Sequence, residues 1–332
     1  MDIPKVSIIL PTFNVERYLQ QCLESIAKQT YTNIEVIIII DGATDGSFDV
    51  AKNFCDQDTR FKVYWQENSG SGPARNNGIQ HANGDFVLFI DPDDWIESDY
   101  VEKLVDIQRK NNYDLVITKE TSYIYKNDST LLSTRKNDVK IVIFDSKEQC
   151  RINYVNLLCD GLIAAPHCKL YKLDLIKKYS IEFPDLRRSQ DVVFNYRYYN
   201  VINSLYVSDY SGYNYRIVIH ERMKRLKPDF YKTINYLFLE IEVLHKQWGV
   251  YFNDVKCATD FYNPIYALLE ANTVRGESIK YIFDDANIRR ILRLSKPTKF
   301  HLKLIRSLIL KDYYLIAQII IKIIIYMKNV KK

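Results

Sequence analysis

Three aspartates within four positions, Asp91, Asp93 and Asp94, close an apolar run of strand length, Phe86-Val87-Leu88-Phe89-Ile90. A strand buried on both faces has no structural use for such a cluster at its end. Carboxylates this close repel one another unless a cation sits among them. A divalent ion with oxygen ligands, Mn²⁺ or Mg²⁺, takes one or two carboxylates and completes its shell with water and substrate phosphate. The plainer alternative is an acidic turn, bent at Pro92, whose Asp93 and Asp94 cap the helix that follows.

The elements around the cluster alternate strand and helix. Val6 to Leu10 reads as a strand stopped by Pro11, and Asn14 as the N-cap of a helix with apolar positions Leu19, Cys22, Leu23, Ile26 and Ala27. Ile34 to Ile40, apolar at almost every position, fits a strand covered on both faces of a parallel sheet. The loop Asp41 to Ser47 and a helix carrying Val50, Ala51, Phe54 and Cys55 follow. Then come a strand at Phe61 to Trp65, a helix through Arg75, Ile79 and Ala82, and the strand that ends at the aspartates. A helix from Tyr100 to Asn111, capped by Ser98 or Asp99, and a strand at Asp114 to Thr118 complete the series. Repeated βα units of this kind predict an α/β fold with a mostly parallel central sheet. In such sheets ligands bind beyond the carboxyl ends of the strands, where the strand order reverses. Thr12, Asp41, the Asn68-to-Arg75 loop and Asp91 to Asp94 all follow strand ends. A carboxylate for base or ribose, a basic residue for a diphosphate and a metal-binding cluster together describe a nucleotide-diphosphate site. No G-x-G-x-x-G follows the first strand and no P-loop is present, which argues against dinucleotide and P-loop chemistry.

Composition bounds the rest. The 332 residues, 47% of them hydrophobic, suffice for a large core and about two domains. The six cysteines have no paired or metal-finger spacing and read as reduced thiols of a cytoplasmic protein. The N-terminus has no apolar segment of the secretory kind. Charge is uneven: Lys296 to Lys332 holds nine Lys or Arg against Asp312 alone, so its excess of eight exceeds the whole-chain net of +5.

Five stretches in order carry a resemblance: Val6-Ser7-Ile8-Ile9-Leu10-Pro11-Thr12-Phe13-Asn14, Asp41-Gly42-Ala43-Thr44-Asp45-Gly46-Ser47, Asn68-Ser69-Gly70 through Ala74-Arg75-Asn76-Asn77-Gly78, Gly84-Asp85, and Asp91-Pro92-Asp93-Asp94-Trp95. They resemble the motifs of family 2 inverting glycosyltransferases, enzymes of GT-A fold, over roughly the first two-thirds of the chain. The resemblance implies a nucleotide-diphosphate sugar as donor, with UDP the usual nucleotide. Thr12 and Asp41 would lie around the base, Arg75 near the nucleotide or its phosphates, and Asp91, Asp93 and Asp94 at the ribose and metal. Pro11, Asn14, Asn68 and Gly70, in the same motifs, complete the implied donor set. Ile40 stands where relatives often have a first aspartate, leaving base contact to Asp41.

The resemblance extends into an acceptor side, residues 119–225 after a nucleotide-sugar half at 1–118. Tyr123 to Lys126 and Lys140 to Asp145 read as short strands flanking a polar loop, and Ser146 to Gln149 as a helix start. His167 occupies a position that is commonly Trp, or it is simply a packing histidine. Asp191, in Arg187-Arg188-Ser189-Gln190-Asp191, matches the catalytic base of relatives, with Gln190 in place of their Glu; by itself it would be an N-cap. An inverting transfer needs one carboxylate to take the acceptor hydroxyl's proton, and a helix N-terminus favours its charged form. Arg187 and Arg188 would hold Asp191 or the donor phosphates. Tyr213, Tyr215, Arg216 and His220 resemble a Tyr/Arg-rich strand of the family, and His220 would reach metal or phosphate or be a surface histidine.

Residues 226–332 read as a helical extension. Phe300 to Met327 is mostly apolar, with Lys299, Lys303 and Arg306 on the side opposite Ile305, Leu308 and Ile309. Its longest apolar run, Tyr313 to Tyr326, is interrupted by Gln318 and Lys322 and is too short for a span of about 20 residues. It is read as a helix lying in the membrane interface, holding the enzyme peripherally on the inner face of the cell membrane. A helix packed on the domain or in a homodimer is the alternative. The reading is therefore a metal-dependent hexosyltransferase that uses a nucleotide sugar and a glycan or lipid-linked acceptor in surface polysaccharide (capsule) synthesis, with no nucleic-acid partner. Its rivals are a non-catalytic sugar-nucleotide-binding or membrane-binding relative and a haloacid dehalogenase-type phosphohydrolase, although that class expects a Thr soon after its D-x-D, where Trp95 stands.

Overall fold

The computed structural model describes residues 3–127, 129–136, 139–186, 189–219 and 227–330. Two compact units divide the chain, Met1–Arg151 with Gly161–Ile219, and Ile152–Asp160 with His220–Lys332. The order begins β1 (Val6–Thr12), α1 (Glu16–Ala27), β2 (Ile34–Asp41), α2 (Ser47–Gln57), β3 (Phe61–Gln66), α3 (Ser71–His81), β4 (Phe86–Phe89), β5 (Trp95–Ile96), α4 (Tyr100–Asn111) and β6 (Leu115–Ile117). It continues β7 (Glu120–Tyr125), β8 (Leu131–Lys136), β9 (Val142–Phe144), α5 (Lys147–Ile152), α6 (Tyr154–Cys159), β10 (Lys169–Lys172), α7 (Leu173–Lys178), α8 (Gln190–Val201), β11 (Leu205–Val207) and β12 (Tyr213–Val218). The helices α9 (Phe230–Trp248), α10 (Asp254–Arg275), α11 (Ala286–Leu294), α12 (Phe300–Leu310) and α13 (Tyr314–Val330) follow.

In the first unit an eight-stranded sheet runs β3-β2-β1-β4-β10-β6-β11-β9. The strands β3, β2, β1 and β4 are mutually parallel. Every residue of β1 and β2 is buried, as their unbroken apolar runs require of strands covered on both faces. The fifth parallel strand expected beside β4 lies one place further out as β6, because β10 inserts between them antiparallel to both. A second sheet, β5-β12-β7-β8, carries the Trp95 end of the acidic motif.

Several local expectations change. Pro11 does not stop β1, which pairs with β2 as far as Thr12. The Ile9 carbonyl accepts from Ile90 on the β4 side, so Pro11, two residues on, turns its missing N–H to that same side, past the last β4 pair. Asn14 is not an N-cap: Val15 stands there, while Asn14 (φ 50°) accepts from the Thr44 amide at 2.8 Å. The N-terminus of α1 is served instead by Asp45, whose carboxylate accepts from the Glu16 amide at 3.0 Å. Asp99 precedes α4 without capping it, since its carboxylate takes the Tyr210 hydroxyl. The polar loop expected after Lys126 contains β8, an exposed edge strand paired with β7 across a turn closed by Asn127.

The motif Ala74-Arg75-Asn76-Asn77-Gly78 shows how α3 is fixed. Asn76 exchanges two hydrogen bonds of 2.9 Å with the Phe183 backbone, and Asn77 donates to Gln66 at 2.8 Å. Gly78 lies against β1 so closely that an added Cβ would sit 2.3 Å from Ile9 Cγ2. Gly78→Ala gains up to about 1 kcal/mol of helix propensity but overpacks a buried contact at about 1–3 kcal/mol. A net destabilisation is expected in urea unfolding, and it should be smaller when Gly78→Ala is added to an Ile9→Ala chain than to the wild type; a more stable Gly78→Ala would refute the close packing.

The second unit is helical. Ile234, Leu237, Phe238, Ile241 and Leu244 bury one side of α9, and Phe261, Ile265, Leu268 and Leu269 do so on α10. Asn253 and Asp285 cap α10 and α11 through side-chain oxygens. The apolar stretch from Phe300 breaks into α12 and α13 near Asp312, which adopts φ 64°. Among the described residues no helix is long and apolar enough to cross a membrane.

Candidate active site

The strand order reverses between β1 and β4, which places the loops after β1, β2 and β4 at one sheet edge. Because β10 runs antiparallel to β4, its entry, Pro166 to Cys168, reaches the same edge. Arg75 is the centre of the arrangement. Its guanidinium donates to Asp91 at 2.8 Å and to Asp191 at 3.0 Å, and lies 5.4 Å from the Phe183 ring centroid. The Arg75 side chain is 5% exposed, whereas Asp91 and Asp191 keep 25% and 34% of theirs. One buried cation thus joins the acidic motif to a residue a hundred positions away, on the first turn of α8. Gln190, beside Asp191, donates to Ser71 Oγ at 2.6 Å and so secures α8 to the start of α3 without a charge.

The two carboxylates respond differently. Burial works to raise Asp91, but the Arg75 guanidinium and the His167 imidazole outweigh it and hold the carboxyl below its usual range. Burial raises Asp191 above the ordinary carboxylate value; Arg75 opposes that shift and the Asp91 charge reinforces it. Two neighbouring carboxyls pushed apart in this way suit two tasks, a permanent anion and a proton acceptor.

Asp94 faces inward. It is 1% exposed and accepts from the Tyr213 hydroxyl at 2.7 Å and the Arg216 amide at 2.8 Å. Burial, then Asp93 and Asp91, push its carboxyl well above the usual range. Asp93 is half-buried. The three carboxylates of the motif offer only oxygen donors, the chemistry that a divalent ion takes. Asp93 with Asp91 would hold such an ion, whereas Asp94, expected at the metal from the sequence, has its two oxygens bonded to the Tyr213 hydroxyl and the Arg216 amide. Tyr213 Oη also accepts from the Asp91 amide at 3.1 Å, so a single phenol sets the motif's bend.

His167 stacks on Tyr213 and Tyr215, with ring centroids 4.9 and 5.5 Å away, and its Nδ1 lies 3.5 Å from Asp91. That nitrogen is buried without a hydrogen bond. The turn bearing it is held from beneath: Lys169 donates to the Ala165 carbonyl at 2.6 Å, and Asn195 to those of Ala164 and Ala165 at 3.1 and 3.0 Å. Burial lowers the Lys169 ammonium to about 8. Among the described residues, the ligand atoms that come within 4.8 Å of one another as a group of three are those of Glu120, His167 and Cys168, not those of the aspartate motif. The Lys169 and Lys119 charges beside Cys168 work against a cation there.

At the end of β2, Asp41 accepts from the amides of Ser69 and Gly70 and from Gln66, each at 2.8 Å. It therefore shapes the loop carrying Asn68, which is exposed, and Gly70 (φ 95°). Gly42 permits the approach, since at φ 66° an added Cβ would stand 2.7 Å from the Asn68 amide nitrogen. Thr12 and Pro11 are buried, the Thr12 hydroxyl turning back to the Leu10 carbonyl at 3.3 Å. Asn14 is exposed beside Thr44. Arg187, Arg188 and His220 lie outside the described residues.

A sequence profile of the family described as Glycosyl transferase family 2 matches residues 7–180, more than half of the chain. The chain belongs to that family. Putative glycosyltransferase EpsH of Bacillus subtilis (strain 168) is 33% identical over 237 residues, 70% of this chain and 67% of its own. Glycosyltransferase GlyA of Streptococcus pneumoniae serotype 4 is 49% identical over 100 residues, 30% of this chain and only 14% of GlyA. Among solved structures, S. aureus TarS 1-349 superposes with a TM-score of 0.61 at 19% identity, covering 96% of this chain and 90% of that one. The same TarS fragment has been solved with UDP, and with UDP-GlcNAc at a TM-score of 0.65 and 20% identity. The GT-A architecture implied by the motifs is the one observed, and the family sets the general activity, glycosyl transfer.

In this family 2 site one group carries more than sequence reasoning assigned it. Arg216 is 9% exposed and caged by the rings of Tyr18, Trp95 and Tyr125, with centroids 4.7 to 5.0 Å away. It donates to the Asp93 carbonyl at 2.9 Å and to Gln21. A guanidinium held by three rings is a rigid support for the acidic motif. Its only local signal was a lone Arg in a Tyr-rich strand.

Proposed function

We propose that the protein transfers a hexose or N-acetylhexosamine from a UDP-sugar, with inversion, to a hydroxyl of a glycan or lipid-linked acceptor in surface polysaccharide synthesis. The observation that carries the reading is Arg75 bridging Asp91 and Asp191, which sets a carboxylate of raised pKa one guanidinium away from the acidic motif. TarS complexes with UDP and UDP-GlcNAc support a uridine donor. In the reaction Asp191 takes the proton of the acceptor hydroxyl as its oxygen bonds to the anomeric carbon, and the bond from that carbon to the diphosphate breaks. Arg75 holds Asp191 in place and keeps Asp91 anionic. A Mn²⁺ or Mg²⁺ ion, when bound by Asp93 and Asp91, supplies charge neutralisation for the leaving diphosphate. Asp94, Tyr213 and Arg216 keep those carboxylates in register.

The test is incubation with a panel of UDP-sugars and Mn²⁺, measuring UDP released with and without glycan acceptors. At least one UDP-sugar should release UDP. Free phosphate, as from a dehalogenase-type enzyme, or no turnover of any donor, as from a degenerate binding relative, would reject the reading. Asp93→Ala should weaken Mn²⁺-dependent UDP binding by about tenfold or more while the melting temperature holds, since it removes a ligand and relieves carboxylate repulsion. Unchanged affinity with and without Mn²⁺ would remove Asp93 from the metal site.

A further inference from the structure

The last helix turns apolar residues outward. On α13, Ala317 and Ile321 are fully buried one turn apart, and the helix packs on α10 and α12. Leu315, Ile316, Ile319, Ile323, Tyr326 and Met327 remain 48% to 72% exposed. At 3.6 residues per turn those six fall within about a third of the helix circumference, with Lys322 on its border. A water-facing helix would carry polar residues there. The preceding helix is mixed: Leu302, Ile305 and Ile309 of α12 face inward and Lys303 outward, while Phe300 at its start is 80% exposed.

Charge identifies the occupant. Lys296, Lys299, Lys303, Lys311 and Lys322 are all exposed, and the acid among them, Asp312, is paired with Arg289. Arg306 does not belong to this surface, because it donates to the Leu292 and Arg293 carbonyls and closes the end of α11. The segment as a whole is strongly basic, so a second copy of the chain would set like charge against like. Anionic headgroups complement that charge, while the apolar arc enters the acyl boundary and Tyr326 suits headgroup level. We propose that α13 lies in the interface of a bilayer rich in anionic lipid, with the arc from Leu315 to Met327 turned into it. The inference stands on the second unit alone and does not depend on which sugar is transferred.

The full-length protein should sediment with vesicles of phosphatidylglycerol and phosphatidylcholine, and much less with phosphatidylcholine alone. Ile319→Glu with Ile323→Glu should reduce sedimentation by about tenfold or more, because charge is expelled from the acyl boundary. Circular dichroism should show the fold unchanged, both positions being half-exposed. Leu315→Ser with Tyr326→Ser, the two most exposed positions, should give the same direction if the glutamates disturb the helix. Equal sedimentation of wild type and both variants would overturn the proposal. So would a wild-type dimer by light scattering that the variants convert to monomer without vesicle binding by either, since the arc would then serve a second copy.

Discussion

Asp191→Asn is expected to lower kcat by about 10²- to 10⁴-fold, the range for loss of a general base, while UDP binding stays within about twofold. The asparagine oxygen can still accept from Arg75, so the local geometry survives. Stability should not fall. The raised Asp191 pKa means that the fold favours the neutral carboxyl over the ionised one. Ionising Asp191 in the native state therefore costs stability as pH rises from the unfolded pKa through the raised folded pKa, and a neutral amide avoids that cost. Denaturant titration at neutral pH, together with single-turnover sugar transfer, checks both halves. Near-normal transfer by the variant would place the base elsewhere, and a marked loss of stability would show that the Arg75 pair outweighs burial.

Arg75→Ala should have the broadest effect, because one side chain serves two carboxylates. Removing one partner of a buried ion pair costs about 3–5 kcal/mol; here Asp91 and Asp191 keep partial access to water, so the lower end is expected. The pH dependence gives a sharper reading. Arg75 opposes the rise of the Asp191 pKa, so its loss raises that pKa further and leaves less of the base ionised on the acid side. The acid limb of kcat should move to higher pH, with the largest deficit in acid and partial recovery as pH increases. Arg75→Lys should recover little, since a single ammonium cannot reproduce two directed guanidinium bonds. An acid limb at the wild-type pH in Arg75→Ala would disconnect Arg75 from the base.

Local chemistry made part of this site readable. Unbroken apolar runs such as Ile34 to Ile40 mark doubly covered strands, and the polar residues after each run must share one sheet edge in a parallel βα series. Asp91 and Asp41 could be placed at that edge from their positions after strands, and Arg75 and Asp191 were singled out through a family resemblance; the structure brings Asp91, Arg75 and Asp191 into contact. Where local rules misled, a distant partner outbid a neighbour. Asn14 satisfies the Thr44 amide in place of its own helix, and Asp99 takes the Tyr210 hydroxyl. Pro11 stays in β1 because the strand that would have needed its N–H has already ended.

By itself the sequence determined the βα alternation of residues 6–118, the acidic motif at a strand end and the basic excess of the last segment, because each is set by residue types within a few positions. Tertiary structure decided what those residues touch. The antiparallel insertion of β10 brings His167 under Asp91, and the packing of α3 against α8 lets one arginine span Asp91 and Asp191. Pairing of β12 with β5 turns Asp94 inward onto Tyr213 and Arg216. Helical periodicity set Ile305, Leu308 and Ile309 opposite Lys299 and Lys303, but the structure buries Ile305 and Ile309 in α12, and it is α13, packed on α10, that leaves apolar residues facing outward. Periodicity records how residues are arranged around an axis, whereas burial depends on where the rest of the chain lies.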